Sequence, residues 1–127
     1  MQTVLICLLI AMLLPYIAKV PVAKAMVALG GYDNQHPREQ QARLQGFGAR
    51  ALAAHQNAFE SLLIFGIACI VTMVSESVNQ TTSMLAITHV AARVLYHVLY
   101  LMDKSNARSL TWFVSTGASL AIFCQAF

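Results

Sequence analysis

The sequence predicts an all-α membrane protein, a four-transmembrane-helix bundle that forms a single domain over residues 1–127. Of the 127 residues, 58% are hydrophobic and only 10% are charged, whereas a soluble domain carries about 25% charged residues. The mean hydropathy of +0.64 supports the same conclusion. The chain has room for about four spans of ~20 residues with short connections. No strand-like alternation is visible, so helices that satisfy their own backbone groups are expected.

The first span is predicted from Thr3 to about Ala28. It is free of charge up to Ala18, and Pro15 and Pro21 interrupt it. A cleaved signal peptide would need a basic segment before its apolar core, and the leading "MQT" contains no basic residue. The segment is therefore expected to remain in the protein as a helix.

Apolar segments of suitable length predict the other three spans. The second runs roughly from Phe47 to Val74, the third from Met84 to Met102, and the charge-free fourth from Ser109 to Phe127. The polar linker "GGYDNQHPREQQ", residues 30–41, contains Gly-Gly and His-Pro pairs that are typical of a turn. The residues that follow this linker are predicted to extend the second helix.

The distribution of positive charge predicts the orientation of the spans. Lysine and arginine are retained on the cytoplasmic side of a membrane. They cluster around the first and third connections: Lys19, Lys24, Arg38, Arg43, Arg50, Lys104 and Arg108. The second connection, residues 75–83, contains none, so both termini are expected outside. We therefore interpret the net charge of +3 as a signal of membrane orientation. No nucleic-acid-binding patch is predicted.

One polar face is predicted on the second helix. At 100° per residue, Arg50, Asn57 and Glu60 fall within about 80° of one another. His55 points almost the opposite way. Charged and amide groups at the edge of lipid are costly, and they usually indicate a partner or a function.

A second polar face is predicted on the third helix. Its members fall within an arc of roughly 100°: His89, Arg93, Tyr96, His97, Tyr100 and Lys104. Arg93 lies deep in the span, where an unpaired cation is costly, and Glu60 is the only carboxylate well inside a span. A Glu60–Arg93 ion pair between the second and third helices is therefore expected.

These two faces have a structural and a functional interpretation. A buried Glu60–Arg93 pair could serve only to hold two helices together. Other polar residues lie toward the cytoplasmic ends of their helices: Arg50, Asn57, Tyr96, Tyr100, Lys104 and Arg108. Several cations, an amide and two phenols around one cleft suit a small, polar, anionic ligand that contains amide groups.

The cysteines and histidines do not predict a metal site. A haem site in a helix bundle needs paired histidines that face each other at the same depth, but His55 faces away and His89 and His97 share one helix. Interhelical hydrogen bonding is their expected role. The cysteines lie inside apolar segments without metal-ligand spacing and are expected to be small buried hydrophobic residues: Cys7, Cys69 and Cys124. One intramembrane carboxylate and a basic mouth also make a poor cation pathway.

Two blocks of the sequence resemble the MAPEG family, the membrane-associated proteins in eicosanoid and glutathione metabolism. The first block is "HPRE" followed by "ARLQGFGARALAAHQNAFESLLIF", with a proline-arginine before the second helix and Arg, Ala-His, Asn and Glu along it. The second block is "RVLYHVLYLMDKSNARSL", residues 93–110. It has an arginine within the third helix, aromatic residues four apart, and Arg-Ser at the start of the fourth. The resemblance covers nearly the whole chain.

The resemblance implies a homotrimer that binds glutathione between neighbouring subunits at the cytoplasmic side. It also implies a lipid-facing groove for a hydrophobic small-molecule substrate. By position, the residues that would hold glutathione are Arg38, Arg50, Asn57, Glu60, Arg93, Tyr96 and Tyr100. Arg108 matches the arginine that stabilises the glutathione thiolate, and Ser109 lies beside it.

Ala53 and Gln56 depart from the family pattern, because some members carry arginine at these positions. Two functions are compatible with this pattern. One is a glutathione transferase, with peroxidase activity as a variant, in a bacterial inner membrane; the short second connection and the small size of the chain suggest a bacterial protein. The other is a non-catalytic lipid-binding or scaffold protein that retains the fold.

Overall fold

The computed structural model describes residues 1–127 and consists of helices without strands. In chain order they are α1 (Gln2–Val27), α2 (Pro37–Ala42), α3 (Phe47–Val74), α4 (Gln80–Leu101) and α5 (Ser105–Cys124). Three of them, α1, α3 and α4, are long and apolar enough to cross a membrane. The predicted all-helical architecture with several apolar helices is therefore confirmed, and it fits an integral membrane protein.

The fourth predicted span corresponds to α5, which is shorter and less apolar than the other three. It begins at Ser105 and not at Ser109 as predicted, so Arg108 lies in its first turn. Its 20 residues have the length of a crossing. Ser115 and Ser119 are buried where α5 packs along α3 and α4. Small polar residues let membrane helices approach closely and form hydrogen bonds, which explains the lower hydropathy of α5.

The start of α4 also differs from the prediction, at Gln80 and not at Met84. Asn79 caps the helix, because its side chain accepts a hydrogen bond from the N–H of Thr82. The Thr82 hydroxyl accepts one from the N–H of Asn79 in return. Apolar periodicity does not detect a first turn made of polar residues, whereas this capping box determines where the helix begins.

The connection between α1 and α3 contains a short helix of its own, so the predicted extension of the second helix is wrong. α2 begins at Pro37, whose ring suits the first helical position. Gly46, directly before α3, has φ 53° and ψ −122°, a conformation that glycine adopts far more readily than other residues. The chain therefore turns between α2 and α3 instead of continuing as one helix.

Gln40 holds this connection against the end of α1. Its Nε2 donates to the carbonyl oxygens of Met26 at 3.1 Å and Gly31 at 2.6 Å, and its Oε1 accepts from the N–H of Asp33 at 3.0 Å. The Asp33 carboxylate accepts from the N–H of His36. This hydrogen bond is the main reason that the pKa of Asp33 lies below its ordinary value.

Small side chains make up much of the interior of the bundle. The larger core cluster surrounds Phe65 and joins α1, α3, α4 and α5, and a smaller one surrounds Met26. Alanine occupies many of the buried positions: Ala11, Ala18, Ala51, Ala54, Ala58, Ala68, Ala86, Ala92 and Ala118. Because alanine lets helix backbones approach closely, van der Waals packing can stabilise helix pairs in lipid, which supplies no hydrophobic driving force between them.

The three cysteines are free thiols, but they do not share one environment. Cys7 and Cys69 are buried in the larger core cluster, as predicted. Cys124 is exposed, contrary to the prediction, because it is the last residue of α5 and lies beyond Ile122, which α5 contributes to that cluster.

The outward surface of the long helices is apolar. On α3, the exposed fractions of Leu63, Ile67 and Val74 are 64%, 49% and 79%. In water, such large apolar surfaces indicate an interaction site or an aggregation liability. In a membrane they are the expected surface toward lipid or toward other helices.

Replacing Gln40 with alanine should loosen the α1–α3 connection while the bundle stays folded. The variant leaves the polar groups that Gln40 satisfies without their partner, a loss of about 1–3 kcal/mol for a buried group. We expect faster tryptic cleavage at Arg38 and Arg43 of the detergent-solubilised protein. Gln45→Ala changes an exposed residue of the same connection and should be cleaved like wild type. Equal cleavage rates for wild type and both variants would show that Gln40 does not hold the α1–α3 connection in place.

Candidate functional site

Arg93 on α4 is buried, with only 2% of its surface exposed. Its Nη2 donates to Oδ1 of Asn57 at 2.7 Å and to the backbone oxygen of Asn57 at 3.2 Å. Its guanidinium carbon lies 4.1 Å from the ring centre of Tyr96. Two acceptors and an aromatic face stabilise a cation that would otherwise be costly among apolar helices.

Asn57, not Glu60, is the direct partner of Arg93, so the predicted Glu60–Arg93 ion pair is wrong. Nδ2 of Asn57 donates to Oε2 of Glu60 at 2.7 Å, and the ion pairs of the chain involve other residues. An amide has both an acceptor and donors, so Asn57 can lie between the guanidinium and the carboxylate and bond to both. Glu60 stays exposed, which avoids the desolvation cost of a buried ion pair.

Two tyrosines continue this arrangement toward the α4–α5 connection. The ring centres of Tyr96 and Tyr100 are 5.5 Å apart and their planes are nearly perpendicular, at 78°. The guanidinium carbon of Arg108 lies 4.2 Å from the ring centre of Tyr100, and Ser109 beside it is exposed. Arg93, Tyr96, Tyr100 and Arg108 thus form one continuous row, the Arg–Tyr stack, with a cation at each end.

Arg50, near the start of α3, lies at the same end of the bundle as Arg108. Its Nη1 is 3.7 Å from Oδ2 of Asp103 in the α4–α5 connection. Its Nε is buried and has no hydrogen-bond partner within the chain. Asp103 was not among the residues predicted from the sequence, although it is the one carboxylate near Lys104 and Arg108 in a region rich in positive charge.

Arg38 lies apart from the other predicted binding residues. It lines a pocket of about 320 Å³ with Lys19, His55 and Gln56. Because His55 points away from the face of α3 that carries Asn57, this pocket opens on another side of the helix. Within one chain, direct contacts connect six of the remaining predicted residues: Glu60, Asn57, Arg93, Tyr96, Tyr100 and Arg108. Arg50 contacts Asp103, and Ser109 is exposed beside Arg108.

The three histidines of the long helices form interhelical hydrogen bonds, as predicted. Their partners are backbone carbonyl groups of three different helices: Pro15 for His55, Ser115 for His89 and Ala54 for His97. No group of three or more histidine, cysteine, aspartate or glutamate side chains is arranged to hold a metal ion. The histidines therefore connect helices.

Two cavities lie next to the polar residues. A cleft of about 60 Å³ between α3 and α5 is lined in part by Asn57, Glu60, Trp112 and Thr116. Trp112 and Thr116 were not predicted from the sequence, because they lie in the charge-free segment of the last helix. A second cavity of about 170 Å³ lies between α1, α3 and α4, and its lining is almost entirely apolar.

These features define a class of protein and a kind of site. The protein is a helical membrane protein with a polar cleft between α3, α4 and α5. Guanidinium groups bind carboxylates through paired, charge-assisted hydrogen bonds, and amide and phenol groups add donors and acceptors. The Arg–Tyr stack, with the amide of Asn57 beside it, therefore suits a small, polar, anionic molecule with groups like those of a peptide.

Comparison with known families makes the identification more specific. The MAPEG family model matches residues 3–127, essentially the whole chain. The chain therefore belongs to the MAPEG family, which confirms the resemblance of its two sequence blocks. Comparisons with curated proteins and with solved structures give no match.

Replacing Asn57 should destabilise the fold far more than replacing Glu60. Asn57→Leu removes one of the two acceptors of a buried guanidinium, and leaving a buried donor unsatisfied costs about 1–3 kcal/mol, with more for a charged group. Glu60→Ala truncates an exposed side chain and should retain its thermal midpoint and its recovery from gel filtration in detergent. Gln56, the exposed residue before Asn57, supplies a matched control. Gln56→Leu makes a similar amide-to-leucine change and should be as stable as wild type.

The double variant Asn57→Leu/Arg93→Leu removes both the acceptor and the cation, so it should recover part of the lost stability. If Glu60→Ala lost as much stability as Asn57→Leu, a direct pairing of Glu60 with Arg93 would be the better description.

Proposed function

We propose that the chain is a membrane glutathione transferase that acts as a homotrimer. The thiolate sulfur of glutathione attacks an electrophilic atom of a hydrophobic substrate in the membrane. A bond to sulfur forms, and the leaving group departs with its electron pair. With a lipid hydroperoxide as substrate, the thiolate would attack a peroxide oxygen, the O–O bond would break and the lipid alcohol would leave. A second glutathione would convert the resulting sulfenic acid to glutathione disulfide and water, which is a peroxidase reaction. Membership of a family associated with glutathione and membranes supports this proposal.

The observation that carries the proposal is the Arg–Tyr stack. It combines two guanidinium groups with two phenol groups at the junction of α4 and α5. Glutathione has carboxylates, amides, an ammonium group and a thiol, so its site needs cations and hydrogen-bonding groups together. We assign its binding to the residues beside the stack and within it: Arg50, Asn57, Glu60, Arg93, Tyr96 and Tyr100. The exposed carboxylate of Glu60 suits the ammonium group, and Arg50 suits a carboxylate.

Arg108 is assigned to the thiolate. A free thiol has a pKa near 8.5 and is mostly protonated at neutral pH, whereas the thiolate is the nucleophile. The guanidinium of Arg108 is permanently charged, and the first-turn N–H groups of α5 add positive potential. Both favour the thiolate, and a hydroxyl from Ser109 or Tyr100 would donate a second hydrogen bond. The thiol proton would leave to water at this end of the bundle.

The separate position of Arg38 supports an assembly in which two chains contribute to each site. The pocket that holds Arg38 lies on another side of α3 from the Arg–Tyr stack. The exposed apolar residues of α3 include Leu63, Ile67 and Val74, and they offer a surface for contact between chains. In a trimer, Arg38 of one chain would approach the glutathione that the neighbouring chain holds.

A non-catalytic lipid-binding or scaffold role is the second candidate. Ala53 and Gln56 favour it, because some members of the family carry arginine at these positions and this chain therefore has fewer cations for an anionic ligand. Glutathione binding to the detergent-purified protein decides between the two candidates. The transferase should bind glutathione and show thiolate absorbance below the pH at which free glutathione ionises. A scaffold protein should show no such absorbance.

Arg108→Ala should leave the protein folded and able to bind glutathione but should impair its activation. The pKa of the bound thiol should rise toward its solution value, because the cation that favours the thiolate is lost. Conjugation of a model electrophile should slow by about 10²-fold or more, the loss typical of one electrostatic stabiliser. Lys104→Ala removes the same charge from an exposed position nearby and should behave like wild type. Thiolate absorbance equal in both variants and wild type would contradict the role of Arg108.

The proposed location is a bacterial inner membrane, with both termini outside and the α1–α3 and α4–α5 connections in the cytoplasm. A phosphatase or fluorescent reporter fused after Phe127 tests this orientation. The phosphatase fusion should be active outside the cytoplasm and the fluorescent fusion dark. A fusion within the α4–α5 connection, after Lys104, should give the opposite result. A fluorescent C-terminal fusion would overturn the orientation.

A further inference from the structure

A very small cavity lies next to the buried guanidinium of Arg93. Its volume is about 10 Å³, and Ala58, Ser61, His89 and Arg93 are among the residues that line it. This is close to the volume that one water molecule requires. A void of this size can therefore be either a dry packing defect or a site for a single water.

Arg93 contributes an unused hydrogen-bond donor. Its Nη2 makes both of the hydrogen bonds to Asn57. Its Nε is completely buried and has no hydrogen-bond partner within the chain. A buried donor of a charged group without an acceptor is costly, so an acceptor is expected beside it.

His89 contributes an acceptor, as the hydrogen bonds of its ring show. Nδ1 lies 2.9 Å from the carbonyl oxygen of Ser115 and 2.9 Å from Oγ of Ser119. A carbonyl oxygen only accepts, so Nδ1 carries the hydrogen and Nε2 of the neutral ring carries a lone pair. The contact from Nε2 to Oγ of Ser61 is long, at 3.4 Å, so this lone pair is poorly satisfied within the protein.

We propose that this cavity is a binding site for one structural water. The water accepts from Nε–H of Arg93 and donates to Nε2 of His89, and the hydroxyl of Ser61 is its third partner. Three polar partners are typical of a buried water. The water would complete a hydrogen-bond chain from Glu60 through Asn57, Arg93 and His89 to Ser119, which joins α3, α4 and α5.

Two isosteric substitutions at Ala58 separate a hydrated cavity from a dry one. Threonine and valine add nearly the same volume, but only threonine brings a hydroxyl that can replace the water. If the site holds a water, Ala58→Val displaces it and leaves Arg93 unpartnered, so its thermal midpoint should fall several degrees below that of Ala58→Thr. If the cavity is dry, Nε of Arg93 lacks a partner in the wild type as well, so Ala58→Val should lose no more thermal stability relative to wild type than Ala68→Val does, and this result would overturn the proposal.

A matched control is available in the same helix. Ala68 is buried in the larger apolar cluster, where a hydroxyl has no advantage, so Ala68→Val should be at least as stable as Ala68→Thr. The direct test is a crystal structure of the wild-type protein at a resolution that shows ordered water. Density for one water within hydrogen-bond distance of Nε of Arg93 and Nε2 of His89 is expected. An empty cavity there would overturn the proposal even if the Ala58 variants did not fold.

Discussion

A guanidinium group among apolar helices needs its charge and its donors satisfied by the protein, and Arg93 imposes this requirement on the bundle. Asn57 on α3 satisfies it with a side-chain and a backbone oxygen, and Tyr96 covers the face of the group. These contacts determine how α3 and α4 lie against each other. They also place the amide of Asn57 against Glu60 and the ring of Tyr96 against Tyr100, so the polar cleft depends on the same interaction.

The rest of the bundle is built so that this polar centre can form. Alanine at many of the buried positions lets the helices approach closely, and close approach is needed for side chains to reach carbonyl groups of the next helix. His55, His89 and His97 reach carbonyl groups of three different helices, α1, α5 and α3 respectively. Since lipid supplies no hydrophobic force between helices, such contacts and dense packing stabilise the structure together.

The cations near the polar cleft differ in how available their charge is. Arg93 and Arg108 stack on the rings of Tyr96 and Tyr100 and pair with no carboxylate. A cation stacked on a ring keeps its charge available, whereas a guanidinium in an ion pair is already neutralised. Arg108 is of the first kind. Arg50 keeps free donors, because Oδ2 of Asp103 at 3.7 Å lies beyond hydrogen-bond distance and Nε has no partner within the chain.

The sequence by itself determined the membrane class, four long helices, the family, and which side chains share a face of α3 and α4; the structure shows three of the four predicted spans as long and apolar enough to cross a membrane. Hydropathy and the 100° helical period contain this information, because lipid requires apolar helices and the period assigns each residue to a face. The tertiary structure decided that Asn57 and not Glu60 contacts Arg93, that Arg38 lies on another side of α3, and that Asp103 approaches Arg50. It also decided the separation of α2 from α3. The helical period gives the direction of a side chain but not how far two helices are shifted along each other, and these contacts depend on that shift.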